Sequence, residues 1–344
     1  MDVIILMLST NTSPREPIKN MAKIIRIGTR ESQLAVWQAT LVQQSLLKNN
    51  FKSELVYIKS DGDLDLQTPI YEMGIQGVFT KSLDIALLNN TIDIAVHSMK
   101  DVPVQLAKGI VQAAVLERAS YKDLLVYKPS SILYDGWLLL NNDPAAFEKF
   151  FNLASCPFTI ATSSIRRKAQ WLNRFPGHNI ENLRGNINTR LQKVADSSWH
   201  GAIFAAAGLE RIQLRPSNSI ELDWMLPSPA QGAIMVVGRN KDEYCLEACT
   251  PLNDYNTAVC TKIERDFLKT LLGGCSTPIS ALAQIIDDVV FFKGNLLSID
   301  GKDKITIERD IPVNESIDLG KHAAEYLLKN GGDKIVVGIN NAEK

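Results

Sequence analysis

The pattern that most restricts the fold is a unit used several times along the chain: a short apolar, β-branched run, a polar turn, then an amphipathic helix. Ile24 to Ile27 runs into Thr29-Arg30-Glu31-Ser32 and a helix with Leu34, Trp37 and Leu41 at helical spacing. Phe158 to Ala161 runs through Thr162-Ser163-Ser164 into a helix over Ile165 to Phe175. Leu183 ends a short strand before Arg184-Gly185-Asn186, and the next helix carries Arg190 two turns in. Ala202 to Ala207 is a strand leading through Gly208 to Arg211. Strands alternating with helices of this length assemble into largely parallel sheets, so the chain is α/β. Its 344 residues suffice for two or three domains with separate cores.

Elsewhere the elements are plainer. Glu54 to Lys59 reads as a strand, and Ser60 to Val78 as a long polar loop punctuated by Gly62, Gly74 and Gly77, a mobile flap over a cleft. Phe79 and Lys81 open the following helix. Ile110 to Glu117, Leu124 to Lys128 and Ala233 to Val237 are apolar strands. A helix over Thr257 to Leu271, with Val259, Ile263, Phe267 and Leu271 on one face, begins a further domain. There Val289 to Asn295, Leu296 to Asp300 and Lys304 to Arg309 look like antiparallel strands, Asp318 to Lys329 a last helix and Ile335 to Ile339 a final strand. A surface insertion at about 129–157, a small hairpin or helix, holds Trp137-Leu138-Leu139-Leu140 and the amphipathic Ala146 to Leu153, and no chemistry is assigned to it.

The formal charge of −1, with 22% charged residues, gives no reason to expect a nucleic-acid partner, so any basic site must be local. The five cysteines (Cys156, Cys245, Cys249, Cys260, Cys275) are odd in number and scattered, which fits a reducing compartment. Cys245 and Cys249 lie one helical turn apart but have no histidine beside them, so no metal is expected. Val3 to Leu8 is too short for a secretory signal, Asn11 to Pro17 is polar, and Met21 is a second candidate start. No apolar run approaches membrane-spanning length.

Functional side chains are densest at one strand exit. Ile92 to Val96 reads as a buried strand and Pro103 stops it; His97, Ser98, Lys100 and Asp101 stand between. Ligands of open α/β sheets bind outside the carboxyl ends of strands. On this segment alone, a solvated turn explains Lys100 and Asp101 equally well. Arg166 and Arg167 fall in a first helical turn, where a cation opposes the helix dipole. Their placement makes sense if an anion lies between them and the helix N-terminus. With Arg184, Arg190 and Arg211 they outline a carboxylate- or phosphate-binding cleft, the competing reading being salt-bridged surface arginines. Ser32 and Arg30 fit either an anion site or ordinary capping.

The segment His97-Ser98-Met99-Lys100-Asp101-Val102-Pro103 resembles the signature of the porphobilinogen deaminase (hydroxymethylbilane synthase) family of tetrapyrrole biosynthesis. Gly28-Thr29-Arg30-Glu31-Ser32, Thr162-Ser163-Ser164-Ile165-Arg166-Arg167, Leu183-Arg184-Gly185-Asn186 with Arg190, and Gly273-Gly274-Cys275 match in the family's order, over about residues 24–344. The resemblance implies a transferase that condenses four porphobilinogen molecules head to tail into hydroxymethylbilane, releasing four ammonia, on the route to haem. It implies two periplasmic-binding-protein-like lobes joined by two crossovers, the return at Pro227-Ser228-Pro229-Ala230-Gln231-Gly232, and a small α+β C-terminal domain. Hinge closure around the cleft would follow. The domains would be 1–20, a disordered extension; 21–118 with 230–250, the first lobe; 119–229, the second; and 251–344, the third.

The resemblance also implies a dipyrromethane cofactor, made from substrate-derived pyrroles and attached through Cys275. A thiol between glycines and Ser276-Thr277-Pro278 sits on a loop where packing gives little reason for one. In the family's scheme Asp101 and Lys100 are catalytic. Ser98, Lys100, Asp101, Ser163, Arg166, Arg167, Arg184 and Gly185 hold the cofactor with Cys275. Arg30, Ser32, Phe79, Arg167, Arg190, Arg211 and Gln231 bind substrate. A cytoplasmic monomer with no membrane, nucleic-acid or metal partner is implied. Each condensation adds carboxylates to the bound chain, so several arginines must pair with them. Loss of ammonia leaves an electron-poor azafulvene, and Asp101 is the candidate to stabilise its pyrrole N–H. The chain departs from the family at Glu72 and Gln76, positions where lysines are common, which leaves an impaired variant as one alternative. A non-catalytic anion-binding protein of periplasmic type is the other; the lack of a signal sequence and the Cys275 loop argue against it.

Overall fold

The computed structural model describes residues 23–59, 80–128, 157–271 and 277–342. The expected N-terminal extension, the flap with Glu72 and Gln76, Phe79, nearly all of the insertion and the Gly273-Gly274-Cys275 loop therefore lie outside the described residues.

Two five-stranded sheets share one topology. The first runs in the order β2 (Ser53–Tyr57), β1 (Ile25–Thr29), β3 (Ile94–Ser98), β10 (Ile234–Arg239), β4 (Ile110–Val115). The second runs β7 (Asn179–Glu181), β6 (Thr159–Ala161), β8 (Gly201–Ala205), β5 (Asp123–Tyr127), β9 (Ser219–Glu221). In each, the first three strands are parallel and the fourth is antiparallel to both its neighbours. That antiparallel strand is the one entered by a crossover: β5 as the chain leaves the first lobe, β10 as it returns. Burial explains the near-continuous apolar strands, since Ile94, Ala95 and Val96 are all 3% exposed or less.

The strand-to-helix units are capped as their residue types require. Ser32 caps α1 (Gln33–Lys48), its hydroxyl accepting from Ala35 N; Ser164 caps α3 (Ile165–Arg174); Asn186 caps α4 (Ile187–Asp196). Arg190 thus falls in the first turn of α4, not two turns in. Strand β8 ends at Ala205, and α5 (Ala206–Arg211) starts immediately, earlier than expected, because alanines and Leu209 pack as a helix there. Helices α2 (Lys81–Leu88) and α6 (Glu243–Cys249) complete the first lobe.

The C-terminal part pairs α7 (Tyr255–Thr270) and α8 (Leu319–Leu327) with an antiparallel sheet of β11 (Ile279–Ile286), β12 (Val289–Leu297) and β13 (Lys304–Pro312). Phe267 and Phe292, both fully buried, meet edge to face at its centre. Three expectations fail here. Ile279–Ile286 is a strand the pattern missed, because it is buried along most of both faces and does not alternate. Leu296–Leu297 continues β12, so no separate strand runs from Leu296 to Asp300. The final strand is a helix, α9 (Asp333–Ala342): Ile335 and Ile339, four residues apart, are buried while Val337 is 57% exposed, so helical packing overrides β-branched propensity.

The three parts meet at the crossovers. Ala119 N donates to Gly232 O at 3.1 Å. Gly232 has φ +90°, and a Cβ there would lie 2.6 Å from Ala119 O, so only glycine lets the two crossovers touch. Glu264, fully buried on α7, accepts from Arg118 at 2.6 and 3.1 Å, from Ala230 N at 2.6 Å and from Ala283 N at 2.8 Å.

Candidate active site

Strand β3 ends in a tight turn that carries Lys100 and Asp101. Ser98 Oγ meets the amide of Gln38 from α1, with Gln38 Nε2 donating at 2.9 Å. Met99 is buried as an anchor, its N–H donating to Ala233 O at 3.0 Å, and Val102 N closes the turn on Met99 O at 3.1 Å. This 3-10 turn, Met99–Asp101, leaves Asp101 exposed and Lys100 half-buried. Burial pushes the Lys100 ammonium down to about 8, with Asp101 opposing and Arg167 reinforcing the shift. His97, buried beneath the turn, is pushed down to about 4 by burial and by Arg30, and stays neutral.

The second lobe supplies the cations. Arg166 and Arg167 are 5% and 6% exposed, and both bind one buried carboxylate, Asp123, at 2.8 Å each. Asp123 is the anion their position in a first helical turn called for, contributed by the antiparallel strand β5. Burial alone would raise its pKa, but the two guanidinium groups hold it far below the usual carboxylate range. Arg166 also donates to Leu226 O at 2.7 Å and Arg167 to Ile203 O at 2.9 Å. The Nε–H groups of Arg166 and Arg167 remain buried without an acceptor.

Ser163 Oγ accepts from Leu183 N at 2.8 Å, tying the Arg166 turn to the Arg184 turn. Gly185 has φ +110°, and its carbonyl accepts from Arg190 Nε at 2.7 Å. Burial and, less strongly, Arg167 push Arg190 down to about 10, while Asp101 opposes. Arg184 is 6% exposed and acts on Arg190 as well. Asp101, Lys100, Arg167, Arg184 and Arg190 therefore share one electrostatic neighbourhood drawn from both lobes.

Gln231 bridges this group. Its Nε2 donates to Asp123 at 2.9 Å and Tyr121 O at 2.7 Å, while its Oε1 accepts from Lys100 at 3.5 Å. Arg211 lies at the seam between lobes, donating to Gly232 O at 2.6 Å and standing 5.7 Å over the Trp37 ring. Arg30 acts on His97 from the end of β1, and the Ser32 hydroxyl is occupied by its cap. Phe79 and Cys275 lie outside the described residues.

Sequence reasoning missed Asp123, Arg118 and Glu264. An acidic residue opening an otherwise apolar strand was the available signal for Asp123. Among the described residues, Asp93, Asp242 and Cys245 place potential metal-ligand atoms within 4.8 Å of one another. Lys23, Arg26 and Arg239 already engage these carboxylates at 2.6 to 3.2 Å, and burial pushes the Cys245 thiol up to about 12. That group is an ion-pair network. Buried, acceptor-less guanidinium N–H groups instead suit a group carrying several carboxylates, as a dipyrromethane with acetate and propionate arms does. No helix among the described residues is long and apolar enough to cross a membrane.

A profile described as porphobilinogen deaminase, dipyromethane cofactor binding domain, matches residues 25–247, and the porphobilinogen deaminase C-terminal domain matches 258–329. The porphobilinogen deaminase of Syntrophotalea carbinolica is 37% identical over 92% of this chain and 96% of its own. That of Methylobacillus flagellatus is 36% identical over 93% and 99%. Among solved structures, a putative periplasmic sulfonate-binding protein SsuA superposes with a TM-score of 0.36 and 14% identity, over 71% of this chain and 68% of that one, too loosely to bear on fold or function. With both domain profiles matched in order and relatives aligned almost end to end, this chain belongs to the porphobilinogen deaminase family.

Proposed function

We infer that this chain condenses four porphobilinogen molecules head to tail and releases them by addition of one water as hydroxymethylbilane, with loss of four ammonia, as a transferase of tetrapyrrole biosynthesis. One observation carries the chemistry: the exposed carboxylate of Asp101 interacts electrostatically with Arg190 of the opposite lobe, on which the buried Arg167 and Arg184 also act. The cations bind the acetate and propionate arms; the carboxylate remains for the reacting nitrogen.

In each addition the aminomethyl C–N bond of porphobilinogen breaks and ammonia leaves with the electron pair. Positive charge then spreads onto the pyrrole N–H, where Asp101 accepts a hydrogen bond and stabilises it. The new C–C bond displaces a proton from the pyrrole carbon it forms on, and in this reading Asp101 takes that proton away. Lys100, largely protonated at neutral pH, and Arg167, Arg184 and Arg190 hold carboxylates. Arg30, Ser32, Phe79, Arg211 and Gln231 are proposed at the substrate, and Ser98, Ser163, Arg166 and Gly185 at the cofactor. A dipyrromethane held through Cys275 supplies the pyrrole terminus to which substrate is joined. The protein works as a cytoplasmic monomer in this reading.

At about 4 Å and an effective dielectric near 20, a carboxylate and a cationic pyrrole interact by on the order of 4 kcal/mol once substrate displaces water. Residual solvent screening reduces this, so Asp101→Asn is expected to lower kcat roughly 100- to 1000-fold. Equal turnover of variant and parent in a porphobilinogen assay refutes the assignment. Intact mass separates this reading from a non-catalytic anion-binding protein, because only the enzyme carries a dipyrrole adduct. Steady-state turnover tests whether Glu72 and Gln76 impair it.

A further inference from the structure

The turn that presents Asp101 is gripped from behind by a residue of the C-terminal part. Arg265 on α7 donates to Val102 O at 2.9 Å and Pro103 O at 2.6 Å, and approaches Met99 O at 3.4 Å. Met99 O is also the carbonyl that closes the turn with Val102 N. One guanidinium therefore touches acceptors on both sides of Lys100 and Asp101.

Its surroundings are unusual for a stabilising ion pair. Asp266, its neighbour along the helix, is engaged by Lys262, and no carboxylate among the described residues lies within salt-bridge distance of Arg265. Burial accordingly disfavours its charge. The preceding residue, Glu264, binds the crossovers, so consecutive residues of α7 hold the crossovers and the Asp101 turn. Arg's planar fork suits several fixed carbonyls at once, where a lysine would reach fewer.

We propose that Arg265 is a positioning residue for the condensation: it fixes the Asp101 turn against the C-terminal domain, so that the carboxylate keeps its place relative to the reacting pyrrole. This rests on Asp101 acting at that pyrrole. Because α7 runs on in sequence toward Cys275, the same contact ties the carboxylate's turn to the helix that precedes the thiol.

The test is a double-mutant cycle in the holoenzyme, with rates normalised to the adduct-bearing fraction by intact mass. Arg265→Met is expected to lower kcat about tenfold with KM within about twofold, since only alignment at the reacting atoms is lost. Arg265→Lys should recover part of that loss. In the Asp101→Asn background, Arg265→Met should cost less than about twofold, because the group it positions is already gone. Equal losses in both backgrounds, or an unchanged kcat in Arg265→Met, overturn the positioning role. Full activity of Asp101→Asn overturns the Asp101 reading instead, and shows in the single variant before the cycle is closed.

Discussion

Replacing Asp123 with Asn probes the centre of the cation cluster. The substitution keeps shape but removes the charge that Arg166 and Arg167 share at 2.8 Å each. Asparagine has one acceptor oxygen for three donors, the third being Gln231 Nε2 at 2.9 Å. Removing one member of a buried charged group costs about 3–5 kcal/mol, since the remaining charges stay desolvated without a partner. With a denaturant dependence of about 3 kcal/mol per molar urea, the unfolding midpoint of the second lobe should fall by roughly 1–2 M. The pH dependence carries a second signature. Asp123 has its folded pKa depressed by the arginines, so its stabilisation is present above the unfolded carboxylate value near 3.9 and is lost as pH falls through the depressed one. Parent and variant should therefore converge in stability only in strong acid. Urea unfolding followed by the fluorescence of buried Trp171 reads this out. A midpoint change under about 0.3 M at pH 7, or a difference that persists unchanged into strong acid, would falsify the assignment of Asp123 as the shared counter-ion.

Three further outcomes are expected. Lys100 titrates near 8, so kcat/KM for the anionic substrate should fall as pH rises through that value, and Lys100→Arg should move this limb upward. Its depressed folded pKa penalises the ammonium below about 8 and relieves that penalty between 8 and the ordinary 10.5, so stability should rise where binding falls. Gly232→Ala should destabilise by at least about 2 kcal/mol in thermal unfolding, because a Cβ meets Ala119 O at 2.6 Å in a positive-φ backbone. Glu264→Gln should cost about 3–5 kcal/mol and increase amide exchange near Arg118 and Ala230, the groups it joins; unchanged exchange at both would remove it as the clasp of the crossovers.

How much of this was legible in the sequence follows from which interactions are local. The caps at Ser32, Ser164 and Asn186 act within three residues, so the strand-to-helix units could be read directly. The arginines announced an anion because their helix position is locally unfavourable. Which anion was not readable: Asp123 lies 43 residues from Arg166 and arrives only through the sheet order. Arg118 and Glu264, 146 residues apart, give no local signal at all. The run Ile335 to Ile339 misled for the opposite reason, since its local propensity is for strand and only contact with the C-terminal core makes it helical.

The exchanged antiparallel strands have a consequence for biosynthesis. Strand β4 has no bond to β3; both are joined only through β10, which the ribosome delivers more than a hundred residues later. Until then the N-terminal sheet carries raw edges, so the nascent chain cannot lock its first lobe before the strands of its second have emerged. Truncated translation products ending before Ile234 should accordingly be wards of chaperones rather than independent domains.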